Sequence, residues 1–99
     1  MKKLILTAFL FVSIIATNVL ADIKMGIILG FTGPIESLTP AMAGSAELAF
    51  KEASDSGSLL GGKRISVERA DSTCVDSAAA TTAAEGLVSN GVVAIMGAD

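Results

Sequence analysis

Short apolar runs alternate with longer alanine-rich segments along most of the chain, and this alternation restricts the fold more than any other feature of the sequence. The runs have strand length and β-branched content: Ile23 to Leu29, Ile65 to Val67 and Val92 to Met96. The segments between them, about Pro40 to Ser54 and Ser77 to Ser89, have helical length. Strands that alternate with helices form βαβ units, so the sequence predicts an α/β fold with a parallel sheet.

The predicted strands differ in their pattern of polar residues. Ile23 to Leu29 is almost continuously apolar, as is typical of a central parallel strand that is covered on both faces. Ile65 to Ala70 alternates apolar with polar residues, which favours an edge strand. Because crossovers between parallel strands are right-handed, a first strand between the other two places the two helices on opposite faces. We therefore predict the βαβαβ start of a doubly wound parallel sheet.

Capping residues mark the ends of both predicted helices. Thr39 can cap the first helix, with Pro40 at its first position. The missing N–H of proline costs no helix hydrogen bond at that position. Asp76 or Ser77 can cap the second helix. The Asn90-Gly91 pair can end the second helix in the left-handed conformation that glycine tolerates.

Residues 1–21 have the pattern of an export signal. Lys2 and Lys3 form a positively charged start, residues 4–19 form an apolar stretch, and Val19-Leu20-Ala21 places small residues before a cleavage site. We expect cleavage after Ala21, which gives a mature chain that starts at Asp22. Because that residue is not a cysteine, we expect a soluble product outside the cytoplasm, without a lipid anchor.

The charge of the mature chain excludes one class of partner. Loss of Lys2 and Lys3 leaves five of the seven basic residues against ten acidic residues, so the net charge changes from -3 to -5. The basic residues are not clustered, and Phe31 and Phe50 are the aromatic residues that remain. Nucleic-acid binding needs basic clusters and aromatic stacking platforms, so no nucleic-acid partner is predicted.

The topology predicts where a ligand would bind. In an open doubly wound sheet, ligands bind beyond the carboxyl ends of the strands at the switch point, here between the first and third strands. Residues 31–39 follow the first strand and form one side of this crevice, and the other side should follow Gly97. The hydroxyls of Thr32, Ser37 and Thr39 can hydrogen-bond a small ligand. The alternative is that they only cap and satisfy the loop.

A glycine-rich segment has part of a phosphate-binding pattern. Gly57, Gly62 and Lys63 fit most of G-x-x-x-x-G-K, but Arg64 stands where a metal-binding serine or threonine belongs. A phosphate loop follows a strand and opens a helix, whereas this segment ends a helix and enters a strand. It is therefore interpreted as a turn, and no cofactor is predicted.

Cys74 is the one cysteine of the chain. An unpaired cysteine in an exported protein indicates a free thiol or a partner elsewhere, and a partner just after Asp99 would be well placed. A disulfide that closes a loop of about 25 residues would contribute roughly 3 kcal/mol. The sequence contains no histidine, so a catalytic thiol and most acid–base chemistry are disfavoured. No metal-ligand cluster is visible, and we expect a protein that is not an enzyme.

Five segments after the signal follow one another in a recognisable order: Asp22 to Gly30, Thr32-Gly33-Pro34, Leu60 to Ile65, Ala70 to Cys74 and Gly91 to Gly97. Together they resemble the opening of periplasmic binding proteins of the branched-chain amino-acid (Leu/Ile/Val) type. The resemblance implies a two-lobed protein several times longer. Residues 22–99, short for a domain with its own core, would form an incomplete type I periplasmic-binding lobe, the N-terminal part of lobe 1.

The resemblance also implies a function. Members of that family close on an amino acid or similar small ligand and deliver it to an ABC permease in the membrane. The chain is thus expected to be a periplasmic solute-binding component of an ABC importer, monomeric at full length. Two alternatives stay open: a ligand-sensing ectodomain of the same fold, and an exported α/β enzyme whose site lies beyond residue 99.

The resemblance carries two residue roles onto this chain. Leu38 occupies the position from which the family contacts the side chain of the ligand, often with an aromatic residue. Cys74 matches a cysteine that the family joins to one just after the third strand, which would fall beyond Asp99. The expected ligand-binding residues are therefore Thr32, Ser37, Leu38 and Thr39.

Overall fold

The computed structural model describes residues 22–98, so the predicted export signal at residues 1–21 and the predicted disulfide partner lie outside the described residues. The elements are β1 (Ile23–Leu29), α1 (Thr39–Asp55), a short 3-10 turn (Leu59–Gly61), β2 (Ile65–Asp71), α2 (Ser77–Ser89) and β3 (Ala94–Met96). Their order confirms the predicted alternation of strands and helices.

The strands form a parallel three-stranded sheet in the order β2-β1-β3. Along β1 and β2 the register runs from Ile23 opposite Ile65 to Leu29 opposite Asp71, and β3 pairs with β1 from Met25 opposite Ala94. The prediction of a central first strand in an α/β fold is confirmed. This register brings the carboxyl ends of β1 and β2 to the same level of the sheet.

The face of the sheet toward α1 carries one half of the core. Ile27 and Leu29 of β1 are buried against Ala43 of α1. Partly buried apolar residues surround them: Phe31, Ala46, Phe50, Val67 and Met96. The helical spacing of the alanines and Phe50 in the sequence thus marks the face of α1 that packs on the sheet.

The opposite face carries the other half of the core, which α2 covers. Ile28 of β1 is buried with Leu87 of α2 and with Val92. Gly26 permits this packing, because a Cβ atom there would lie 2.7 Å from Leu87 Cδ1. Alternate residues of β1 therefore pack against two different helices. The predicted placement of α1 and α2 on opposite faces is confirmed.

The helix ends agree with the sequence prediction at α2 and differ at α1. Asp76 caps α2, where its Oδ1 atom accepts hydrogen bonds from the backbone N–H of Ala78 at 2.8 Å and of Ala79 at 3.3 Å. The prediction that Thr39 caps α1 was wrong. Leu38 holds the N-cap position and makes no side-chain cap. Thr39 is already the first residue of the helix, and its hydroxyl donates to the Gly30 carbonyl.

Strand β3 is shorter than the predicted range of residues 92–96. Val92 precedes the strand and is buried under α2, and the backbone N–H of Val93 donates to the Lys24 carbonyl at 2.9 Å. The regular ladder begins at Ala94. The apolar character of Val92 thus reflects core packing rather than strand pairing.

The glycine-rich segment lies between α1 and β2, as predicted for a turn. Gly57 and Gly62 have φ angles of +69° and +93°, which glycine adopts without strain. No helix within residues 22–98 is long and apolar enough to cross a membrane.

Candidate functional site

The carboxyl ends of the strands meet at one edge of the sheet, and the chain leaves each strand there in an irregular segment. Residues 30–38 follow β1, residues 72–76 follow β2, and Gly97 follows β3. This edge is the crevice position predicted from the strand order.

The segment after β1 is a compact turn. The backbone N–H of Phe31 donates to the Leu29 carbonyl at 2.9 Å, and that of Leu38 donates to the Ile35 carbonyl at 2.9 Å. Gly33 has a φ angle of +99° and its carbonyl accepts from the N–H of Glu36 at 3.3 Å. This turn at Gly33 directs the chain into α1.

Thr39 connects the two ends of this turn through a buried hydrogen bond. Its hydroxyl donates to the Gly30 carbonyl at 2.9 Å, and the residue is fully buried. The contact ties the start of the turn to the start of α1. Thr39 has no surface with which to touch a ligand, so its role here is to support the turn.

Asp71 joins the turn to the segment that follows β2. Its Oδ2 atom accepts from the Thr32 hydroxyl at 2.6 Å, and its Oδ1 atom accepts from the backbone N–H of Thr32 at 3.3 Å and of Thr73 at 2.8 Å. The hydrogen bond from the Thr32 hydroxyl, followed by that from the Thr73 amide, lowers the pKa of Asp71 below its ordinary value. The carboxylate therefore stays charged at neutral pH, which strengthens these bonds.

The segment after β2 has an uncommon backbone. Thr73 and Cys74 have φ angles of +61° and +67°, a left-handed conformation that is unfavourable for residues with a Cβ atom. The N–H of Cys74 donates to Ser72 Oγ at 3.2 Å, and the N–H of Thr73 is held by Asp71. Local side-chain acceptors thus support both strained residues.

Glycines let these segments approach each other. A Cβ atom on Gly33 would lie 2.5 Å from the Thr73 carbonyl oxygen, and one on Gly30 would lie 2.9 Å from Cys74 Cβ. After β3, a Cβ on Gly97 would overlap the Ile28 carbonyl oxygen. We call the contact between residues 30–33 and residues 72–74 the loop junction.

Two of the predicted ligand-binding residues lie free at the end of the turn. Leu38 is 60% exposed. Ser37 is exposed, and its hydroxyl has no hydrogen-bond partner among residues 22–98. Thr32 is also exposed, but its hydroxyl is engaged by Asp71. The structure therefore leaves Ser37 and Leu38 available to a ligand and gives Thr32 a contact within the protein.

A charged pair that the sequence analysis missed supports the turn from the α1 side. Arg69 donates from Nε to Glu47 Oε1 at 2.6 Å and from Nη2 to Glu47 Oε2 at 2.9 Å. The guanidinium carbon lies 5.3 Å from the centre of the Phe31 ring. The hydrogen bond from Arg69 lowers the pKa of Glu47. Alternation along β2 could have indicated that Arg69 shares a face with Val67, and so with α1.

Two cavities open on the α2 side of the described residues. One of about 570 Å³ runs between β2 and α2, where the Asn90 side chain amide donates to Glu68 Oε1 at 2.6 Å. The other, of about 390 Å³, lies beside Cys74, Val75 and Asp76, near the loop junction. The larger cavity also reaches Asp71 and Asp76 beside the loop junction. It lies between β2 and α2 rather than at the switch point between β1 and β3, so the strand ends at the switch point remain the better candidate site.

The chemistry available at these strand ends is hydrogen bonding and apolar contact. Within the described residues, no group of three His, Cys, Asp or Glu side chains is arranged to hold a metal ion. Cys74 is half-buried and unpaired in this part of the chain. Exposed Ser37 and Leu38 can contact a small ligand that has polar and apolar parts.

One comparison with known proteins is informative. The family model described as "Periplasmic binding protein" matches residues 22–99. The matched range includes all three strands and the three segments that leave their carboxyl ends. No curated protein matches the chain.

Proposed function

Because the chain belongs to the periplasmic binding protein family, we propose that it is the solute-binding component of an ABC importer for an amino acid of the branched-chain type. The observation that carries the proposal is the turn after β1. It lies at the switch point of a parallel sheet and exposes Ser37 and Leu38 there. Family membership itself implies small-molecule binding outside the cytoplasm, without catalysis.

The proposed ligand contacts come from the end of this turn. Leu38 would contact the side chain of the ligand, and the Ser37 hydroxyl would contact a polar group of the ligand. Thr32 would contribute through the turn that it holds with Asp71, and Thr39 through its bond to Gly30. An exposed leucine favours an aliphatic ligand side chain, since contact removes apolar surface of both partners from water.

The proposal includes the location and the assembly of the protein. An export signal at residues 1–21, cleaved after Ala21, would deliver the chain from Asp22 onward to the periplasm. A permease in the membrane would then receive the ligand. The disulfide proposed for Cys74 would fasten the loop junction from a cysteine outside the 99 residues.

Calorimetric titration of the protein produced from its gene tests this function. We expect leucine, isoleucine or valine to bind, and Leu38→Ala to weaken binding by roughly tenfold through lost apolar contact. Leu48→Ala is the matched control, because Leu48 is 56% exposed but lies on α1 outside the turn. Its affinity should equal that of the unchanged protein. Absence of binding for all three amino acids contradicts the proposed ligand class.

A further inference from the structure

One carboxylate contacts both sides of the loop junction. Asp71 is the last residue of β2, opposite Leu29, which is the last residue of β1. From this position it accepts three hydrogen bonds, two from Thr32 and one from the Thr73 backbone. The donors belong to two segments that lie 39 and 2 residues away in sequence. The Asp71 side chain thus couples the two segments, beside the backbone bond from Ser72 to the Leu29 carbonyl at 3.0 Å.

The left-handed backbone after β2 needs this support. The Thr73 hydroxyl is buried and has no partner within residues 22–98, so it does not hold the segment in place. The Asp71 bond to the Thr73 amide at 2.8 Å and the Ser72 bond to the Cys74 amide do so instead. Without Asp71, Thr73 would lose the acceptor that offsets its unfavourable φ angle.

The position of Thr73 in turn fixes the turn after β1. The Thr73 carbonyl oxygen lies where a side chain on Gly33 would be, at 2.5 Å from its Cβ position. A shift of Thr73 therefore moves the surface on which Gly33 packs. The turn that carries Ser37 and Leu38 starts from this contact.

We propose that Asp71 is a positioning residue, which sets the conformation of the ligand-facing turn from the neighbouring strand without touching the ligand. The inference rests on the proposed function for its effect on affinity. Its effect on the turn itself does not require a ligand.

Amide hydrogen exchange measures the effect on the turn directly. In Asp71→Ala we expect exchange at the amides of Thr32 and Thr73 to rise about tenfold or more, because both lose a charged acceptor. Asp71→Asn should restore most of the protection, since its Oδ1 atom can accept both amides. Unchanged exchange at Thr32 and Thr73 in Asp71→Ala overturns the proposal.

Asp76→Ala is the matched control, because Asp76 also accepts two backbone amides, at the start of α2. It should raise exchange at Ala78 and Ala79 and leave Thr32 unchanged. If Asp71→Ala does not fold, Thr32→Val replaces it, since this change removes only the 2.6 Å hydroxyl contact. Exchange at position 32 should then rise, and an unchanged rate there overturns the proposal.

Titration with leucine separates this inference from the function. We expect Asp71→Ala to weaken leucine binding by about tenfold, while Asp71→Asn and Asp76→Ala stay within about twofold of the unchanged protein. If the unchanged protein does not bind leucine, the proposed function fails, and the exchange rates still decide the role of Asp71. Full leucine affinity in Asp71→Ala, despite a loosened turn, overturns the inference for ligand binding.

Discussion

Single residues hold the irregular parts of this fold together, and Ser54 is the best defined of them. Ser54 is 4% exposed at the end of α1. Its hydroxyl donates to the Phe50 carbonyl at 2.8 Å and accepts from the backbone N–H of Ile65 at 2.8 Å. One hydroxyl thus connects the last turn of α1 to the first residue of β2.

We predict that Ser54→Ala destabilises the protein by about 1–3 kcal/mol, because the Ile65 N–H is left without its acceptor. Ser45→Ala is the control, since Ser45 makes the same bond to the carbonyl four residues earlier but is exposed. It should change the free energy of unfolding by less than about 0.5 kcal/mol. Urea unfolding followed by far-UV circular dichroism measures both, and equal effects would contradict the assigned role.

The sequence predicted the cap of α2 correctly but not the cap of α1. Asp76 caps α2 through amides two and three residues ahead, so the local sequence contained the signal. Thr39 uses its hydroxyl on Gly30, nine residues back, and this tertiary contact overrides its capping preference. The bond between Asp71 and Thr32 spans 39 residues, and only the strand register could have indicated it.

At the scale of elements, the packing of α2 on the sheet depends on Gly26. A Cβ atom there would meet Leu87 Cδ1 at 2.7 Å and Val92 Cγ1 at 3.1 Å. Both contacts belong to the core half that α2 covers. The position of α2 over β1 therefore requires the absence of a side chain at residue 26.

Gly26→Ala is predicted to destabilise the protein by about 1–3 kcal/mol through overpacking. Gly86→Ala is the matched control, because Gly86 lies on α2, the helix that packs on Gly26, and a Cβ there meets no atom within 4 Å. It should stabilise the protein by up to about 1 kcal/mol, since alanine is the better helix former. Thermal unfolding compares the two variants, and a neutral Gly26→Ala would show that α2 does not pack closely on β1.

The elements themselves were largely predictable, because their signals are local. Continuous apolar character placed β1 in the centre, and polar alternation placed β2 at the edge of the three strands, as observed. The start of β3 was less predictable, because Val92 is apolar through its core contact with Leu87 and does not pair with a strand. Periodicity alone does not distinguish these two reasons for an apolar residue.

At the scale of the whole molecule, three carboxyl groups within residues 22–98 link stability to pH. The pKa values of Glu47, Asp55 and Asp71 lie below their ordinary values because each accepts hydrogen bonds in the folded state. The donors are Arg69 for Glu47, Lys51 and then Arg64 for Asp55, and the Thr32 hydroxyl and then the Thr73 amide for Asp71. These bonds stabilise the folded state only while the carboxyl groups are charged.

A lowered folded-state pKa means that this stability is present above the unfolded values, near about pH 4, and is lost as the pH falls through the lowered values. The sequence contains no histidine. We therefore expect a constant urea midpoint from about pH 6 to pH 8 and a decline below about pH 4.5. The urea midpoint of the Glu47→Gln, Asp55→Asn double variant should fall less steeply as the pH decreases. A midpoint that rises on acidification would contradict this account.

We propose that a small aliphatic amino acid binds at the carboxyl ends of β1 and β3, against the turn that exposes Ser37 and Leu38. Amide NMR spectra recorded during titration with leucine test this proposal. We predict saturable shifts concentrated at residues 31–38 and at Gly97, with little change at Glu68 and Asn90 beside the larger cavity. Shifts confined to that cavity, or none at all, would contradict the claim.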